Sequence, residues 1–173
     1  QQTIVVLRAS ASDGTTTELW RDSNNTWVDL VSGSPALTKS AQLVVVADRD
    51  DVKRILVDSN AVTPTSLNVR SLVSVSDEAI VFMANEITHP EATSAWKWTP
   101  NSLEVLTALD GNHSIAIGDP TKVVRRASIN LVRATTTVST TLQGAPATHI
   151  IESFSEEALV QPNVQFIRAG KRQ

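Results

Sequence analysis

One pattern recurs four times along the chain and constrains its fold more than any other feature. Val5-Val6-Leu7-Arg8-Ala9-Ser10, Leu43-Val44-Val45-Val46-Ala47-Asp48, Ile80-Val81-Phe82-Met83-Ala84-Asn85 and Val123-Val124-Arg125-Arg126-Ala127-Ser128 are each a β-branched or apolar run closed by Ala and a small polar residue. The alanines stand at 9, 47, 84 and 127, giving intervals of 38, 37 and 43 residues. β-Branched side chains are stiff at χ1 and fit a pleated surface better than a helix. A period of ~40 to 50 residues built from strands is that of the four-stranded blades of a β-propeller.

Further strand-like strings keep step with the repeat. About ten residues beyond each alanine lie Thr17-Glu18-Leu19-Trp20, Arg54-Ile55-Leu56-Val57, Ala95-Trp96-Lys97-Trp98 and Thr135-Thr136-Thr137-Val138. A third set follows as Trp27-Val28-Asp29-Leu30, Ala61-Val62-Thr63, Leu103 to Thr107 and Thr148 to Ile151, and Val69 to Val75 and His113 to Ile117 precede two of the alanine strings. Turn formers separate them: Ser12-Asp13-Gly14, Asp48-Arg49-Asp50-Asp51 and His89-Pro90-Glu91 favour local side-chain bonding or a fixed φ over strand continuation. The unbroken apolar run from Leu43 to Ala47 predicts a strand buried on both faces, whereas alternation through Val69, Leu72, Val73 and Val75 is imperfect. No stretch holds an i, i+3, i+4 apolar spacing for three turns, and a short helix is expected only over Ser153 to Val160. The predicted fold is therefore all-β, a partial β-propeller of about three to four antiparallel four-stranded blades, with approximate limits 1–34, 35–66, 67–109 and 110–168.

Composition narrows the function classes. Fifteen basic and 18 acidic residues give a net charge of -3 without a basic patch, so nucleic acid is not an expected partner. The absence of cysteine excludes a disulfide framework and thiolate metal sites and favours a reducing, cytoplasmic setting. No apolar run reaches the ~20 residues of a membrane span, so no membrane partner is expected. The chain opens on Gln1 and reads as an excised piece of a longer protein, so the lack of a signal sequence does not bear on the parent.

The search for chemistry returns little. Ser32-Gly33-Ser34 is not a nucleophile elbow and reads as a polar turn before Pro35. His89, His113 and His149 have no ligand partner at a metal spacing, and Asp50-Asp51, Asp77-Glu78 and Glu156-Glu157 read as solvated turns, because adjacent residues on a strand face opposite ways. No nucleotide signature occurs, and no cofactor or metal is expected. Trp96 and Trp98, two apart, should share one packed face. Trp27 is read as opening a strand that anchors the following loop, which makes Trp27, Leu30, Val31, Ser32, Gly33 and Ser34 the candidate cavity-lining residues.

The order of these strings resembles the closing propeller blades of dipeptidyl-peptidase-IV-like members of the prolyl oligopeptidase family, particularly the actinobacterial forms. The resemblance rests on Gln1-Gln2, Trp27-Val28-Asp29-Leu30-Val31-Ser32-Gly33 before a Pro turn, and Ile80 to Glu86 followed by Ala95-Trp96-Lys97-Trp98. It continues with Leu106-Thr107 before Gly111-Asn112-His113, and with Phe166 to Arg172. It implies that an α/β-hydrolase domain carrying a Ser, Asp, His triad follows residue 173, that this chain carries no catalytic residue, and that the parent cleaves small peptides with Pro or Ala near the N-terminus. The glutamate pair that captures the substrate's amino terminus in the family belongs to an earlier insert, so Glu156-Glu157 is not its counterpart. Val31 and Ser32 stand where mammalian relatives place an aromatic and a basic residue. The implied partners are that hydrolase domain and a peptide substrate, and isolated blades are expected to self-associate through uncovered faces. A free-standing propeller that binds protein or peptide without hydrolysis is the alternative. A glycan-binding β-sandwich fits the regular spacing less well.

Overall fold

The computed structural model describes residues 2–109 and 111–117, and the backbone of three further strands at 124–129, 136–141 and 148–152. Among the described residues the chain is all-β, with antiparallel sheets and no helix, so no helix is long and apolar enough to cross a membrane. The chain divides into two compact units, Gln1–Pro90 with Trp96–Glu104, and Glu91–Ala95 with Val105–Gln173.

The first unit begins with β1 (Thr3–Ala9) and β2 (Thr16–Ser23), paired from Thr3↔Ser23 to Ala9↔Thr16. A four-stranded sheet follows in sequence order: β3 (Ala36–Leu37), β4 (Leu43–Arg49), β5 (Val52–Val57) and β6 (Asn60–Ala61). β7 (Leu67–Val75), β8 (Ile80–Glu86) and β9 (His89–Thr99) are next, with β10 (Ser102–Val105) paired to β9. All four alanine-closed strings form the body of a strand: β1, β4, β8 and, in the second unit, β12 (Val124–Ile129).

Turn chemistry fixes the registers. Arg49 pairs with Val52 across Asp50 (φ 56°) and Asp51 (φ 65°), and Val57 pairs with Asn60 across Asp58 (φ 46°) and Ser59 (φ 72°). Two-residue hairpin loops with both central φ values positive match the twist of the flanking strands, and Asp tolerates that region better than most residues. The imperfect alternation in β7 has its cause in two register shifts, between Val69 and Ser71 and between Leu72 and Ser74. Each bulge flips the inward parity, so period-two counting fails across it.

Packing of β4 and β5 follows from side-chain alternation. Val44, Val46 and Ile55 join one buried cluster with Leu67, Val69, Leu72, Ile80, Phe82 and Ala84, against which Trp96 and Trp98 also pack. Val45, Ala47 and Leu56 point the other way and meet Val6 and Trp20 of the β1–β2 hairpin. The run from Leu43 to Ala47 is therefore covered on both faces, and Trp96 and Trp98 share one core, both as expected. Thr63 is buried at the edge of this packing, where its Oγ1 accepts a bond from the Ile55 N–H at 3.0 Å, so its polar atom costs little.

In the second unit β11 (Asn112–Ile117), β12, β13 (Thr136–Thr141) and β14 (Thr148–Glu152) are antiparallel neighbours in sequence order, and Asn112 pairs in parallel with Thr93. The short helix expected over Ser153 to Val160 lies outside the described residues.

Two readings of the sequence are corrected. Trp27 to Leu30 is not a strand: the chain leaves β2 at Ser23, and the Asn24 carboxamide oxygen accepts from both the Thr26 N–H and hydroxyl at 2.9 Å, turning the backbone away. His89-Pro90-Glu91 is not a turn but the exposed start of β9, the turn falling at Ile87 and Thr88. Proline is tolerated at the first residues of a strand, where its missing N–H is not needed by the ladder.

Candidate functional site

The segment from Trp27 to Pro35 leaves β2 and enters β3 without regular structure, yet its backbone is fixed. The Ser34 N–H donates to the Val31 carbonyl at 3.0 Å, closing a turn over Ser32 and Gly33, and the Leu72 N–H donates to the Ser32 carbonyl at 2.9 Å. Ser32 bridges Ser71 of β7, and the Ser34 hydroxyl oxygen accepts from the Val46 N–H at 2.9 Å. Gly33 has φ +83° and sits so close to β7 that a Cβ there would lie 2.5 Å from the Leu72 carbonyl oxygen. The Ser34-Pro35 peptide is cis.

These constraints divide the six candidate residues. Val31 is 7% exposed and belongs to the main core, so its side chain packs inward. Trp27 at 62% and Leu30 at 63% present large apolar surfaces to solvent, and the Ser32 side chain is also exposed. Trp27 therefore does not anchor the loop; the buried Val28 and Val31 do. Ser34 is committed to Val46, and Gly33 to its approach to β7. Three of the six, Leu30, Val31 and Ser34, line a small apolar concavity together with Trp20 and Val45 and with Val28, Asp29 and Pro35, which sequence reasoning did not single out. It has room for about one water molecule.

Charged groups near the loop are paired. Lys53 Nζ lies 3.6 Å from Asp29 and 3.4 Å from Asp48, while Arg49 reaches Asp22 at 3.2 Å and Arg54 reaches Asp50 at 2.6 Å. Asp50-Asp51 thus occupies a hairpin turn, as read from the sequence. Asp77, in the loop between β7 and β8, takes bonds from the Ser40 hydroxyl at 2.6 Å and the Ser40 N–H at 2.9 Å. Those bonds, the hydroxyl's first, hold its carboxyl below the ordinary aspartate value. The bond from Arg21 does the same for Glu18 and raises Arg21 in return.

No family model and no curated protein matches the chain. Among the described residues no group of three or more His, Cys, Asp or Glu could hold a metal ion. His89 opens β9 and His113 lies in β11, while the side chains of His149 and Glu156-Glu157 lie outside the description. What the loop offers chemically is contact: an apolar pair, Trp27 and Leu30, and one hydroxyl, Ser32, on a backbone tied to β4 and β7.

Proposed function

We propose that the chain is a non-catalytic β-propeller segment of a serine exopeptidase of the dipeptidyl peptidase IV type, with a structural and substrate-gating role. The observation that carries the scaffold part of this reading is the burial of β4 and β5 on both faces, between β1–β2 on one side and β7–β8 on the other. Sheets stacked face to face, each a meander in sequence order, are what radial blade packing requires. β3 to β6 run in sequence order as one four-stranded sheet, and β11 to β14 are sequential neighbours in a sheet that continues through β9, β8 and β7. The peptidase part rests on the resemblance of the strings alone. In such a parent the chemistry is done by a hydrolase domain, and Trp27, Leu30 and Ser32 are the residues of the loop available to face it or its substrate.

A free-standing interaction module is the second reading, favoured by the exposure of Trp27 and Leu30 outside any sheet. Sequencing the complete reading frame separates the two, followed by assay of the full protein on Ala-Pro and Gly-Pro chromogenic amides. A hydrolase domain directly downstream and turnover of these amides support the first reading. Further blades without a hydrolase sink it and leave the second.

A further inference from the structure

The sequence holds two Asn-x-Ser/Thr tripeptides without proline, Asn24-Asn25-Thr26 and Asn112-His113-Ser114. That spacing is the acceptor signature for an N-linked glycan, and it has meaning only where the asparagine stands on an accessible loop. The fold separates the two. Asn112 to Ser114 lie inside β11, paired with Ile129, Ser128 and Ala127 of β12, and Asn112 also pairs with Thr93 of β9. Asn24 to Thr26 follow the end of β2 and are exposed, as are the flanking Ser23 and Trp27.

The local geometry of Asn24 suits the chemistry. Its carboxamide accepts from both the Thr26 N–H and the Thr26 hydroxyl at 2.9 Å. A backbone N–H can only donate, so the atom turned to Thr26 is Oδ1, and Nδ2 is left without a protein partner among the described residues. The backbone that carries it is held: the Asn24 N–H donates to the Gln2 carbonyl at 2.9 Å, and Gln2 Nε2 donates to the Asn25 carbonyl at 3.1 Å. An amide nitrogen is a weak nucleophile because its lone pair is shared with the carbonyl. Two bonds to Oδ1 draw charge onto the oxygen and make the Nδ2 protons easier to remove.

We infer that Asn24 is a site of N-linked glycosylation and that Asn112 is not. The donor class is an oligosaccharide carried on a lipid diphosphate. Asn24 Nδ2 attacks the anomeric carbon, the N–C bond forms as the C–O bond to the diphosphate breaks, the lipid diphosphate leaves with the electron pair, and Nδ2 gives one proton to a base of the transferase. Thr26 is the positioning residue, acting through Oδ1. The inference places the chain in a compartment that uses such donors, apart from the cytoplasmic setting that the lack of cysteine favours. A chain without cysteine has no thiol to be oxidised there. None of this depends on the peptidase reading.

Peptide-mass mapping of the full protein made in its own source cells tests it, beside the Asn24→Gln, Thr26→Val, Thr26→Ser and Asn112→Gln variants made in the same cells. The expected result is one carbohydrate-bearing peptide, the one that contains Asn24. It should be lost in Asn24→Gln and Thr26→Val and kept in Asn112→Gln and in Thr26→Ser, which restores the hydroxyl. If Thr26→Val fails to fold, the unaltered protein and Asn24→Gln decide the matter. Unmodified Asn24 in the protein from its source, sugar on Asn112, or sugar that persists on Asn24 in folded Thr26→Val would each overturn the inference.

Discussion

Gly33 lies against Leu72 so closely that a Cβ on the glycine would stand 2.5 Å from the Leu72 carbonyl oxygen and 2.9 Å from its Cβ. The contact is the hinge of the candidate loop, because the same strand position donates its N–H to the Ser32 carbonyl. Both sides are backbone, so neither can yield as a flexible side chain would.

Gly33→Ala should therefore destabilise the first unit twice over, through the clash and through φ +83°. The positive φ alone costs roughly 1 to 3 kcal/mol. Urea unfolding followed by tryptophan fluorescence measures it. Gly14, also at positive φ but with open space around it, is the control: Gly14→Ala should cost less than Gly33→Ala. Equal losses at the two sites would show that the approach to Leu72 contributes nothing.

Phe82 is fully buried among Val44, Ile55, Leu67 and Ile80. Phe82→Ala should cost about 3 to 5 kcal/mol, the transfer free energy of the ring plus the cavity left behind. Leu37→Ala, at a site 53% exposed, should stay within about 0.5 kcal/mol of the parent. Denaturant midpoints at unchanged m-value distinguish the two; a Phe82→Ala variant as stable as Leu37→Ala would mean that β4–β5 and β7–β8 do not share a core.

How much of this was legible follows the range of the interactions. The strands β4 and β8 and the hairpin turn at Asp50-Asp51 are local, written in β-branched runs and in residues that accept positive φ, whereas the turn at Asp58-Ser59 was not read from the sequence. Trp27 to Leu30 read as a strand because Trp-Val-x-Leu has strand composition, but the Asn24 side chain captures Thr26 and ends the ladder first. Gly33 read as an exposed turn glycine. Its close approach depends on Leu72, and the bulges of β7 that bring Leu72 there leave only broken alternation in the sequence.

Asp77 should show a pH signature at Ser40. Its carboxylate is stabilised in the fold by two bonds from Ser40, so the folded value lies below the unfolded one. The sign follows: the contribution is present above the unfolded aspartate value and is lost as pH falls through the lower folded value. The Ser40 amide resonance should titrate in acid with a midpoint below that of an unstructured aspartate, and Asp77→Asn should remove the titration. A midpoint at or above the ordinary value would mean that the loop contact is absent in solution.

Val31 and Ser32 are neighbours in the candidate loop but differ in setting, and substitutions at the two should behave differently. Val31 is buried in the core and Ser32 is exposed on a backbone fixed to β7, so they cannot serve a substrate alike. Val31→Phe should overpack the cluster around Val44 and Val46 and cost about 1 to 3 kcal/mol of stability. Ser32→Arg, with its side chain in solvent, should leave the unfolding midpoint nearly unchanged. If the loop faces a substrate cavity in a full-length peptidase, Ser32→Arg alone should raise kcat/KM for substrates with an acidic N-terminal side chain, by up to ~1 to 3 kcal/mol where a charge-assisted hydrogen bond forms. The measurement is a kcat/KM series over acidic, neutral and basic N-terminal residues, with the unfolding midpoint of the same preparation. Ratios that stay constant in a folded Ser32→Arg variant would make the segment from Leu30 to Ser34 a connection between sheets and nothing more.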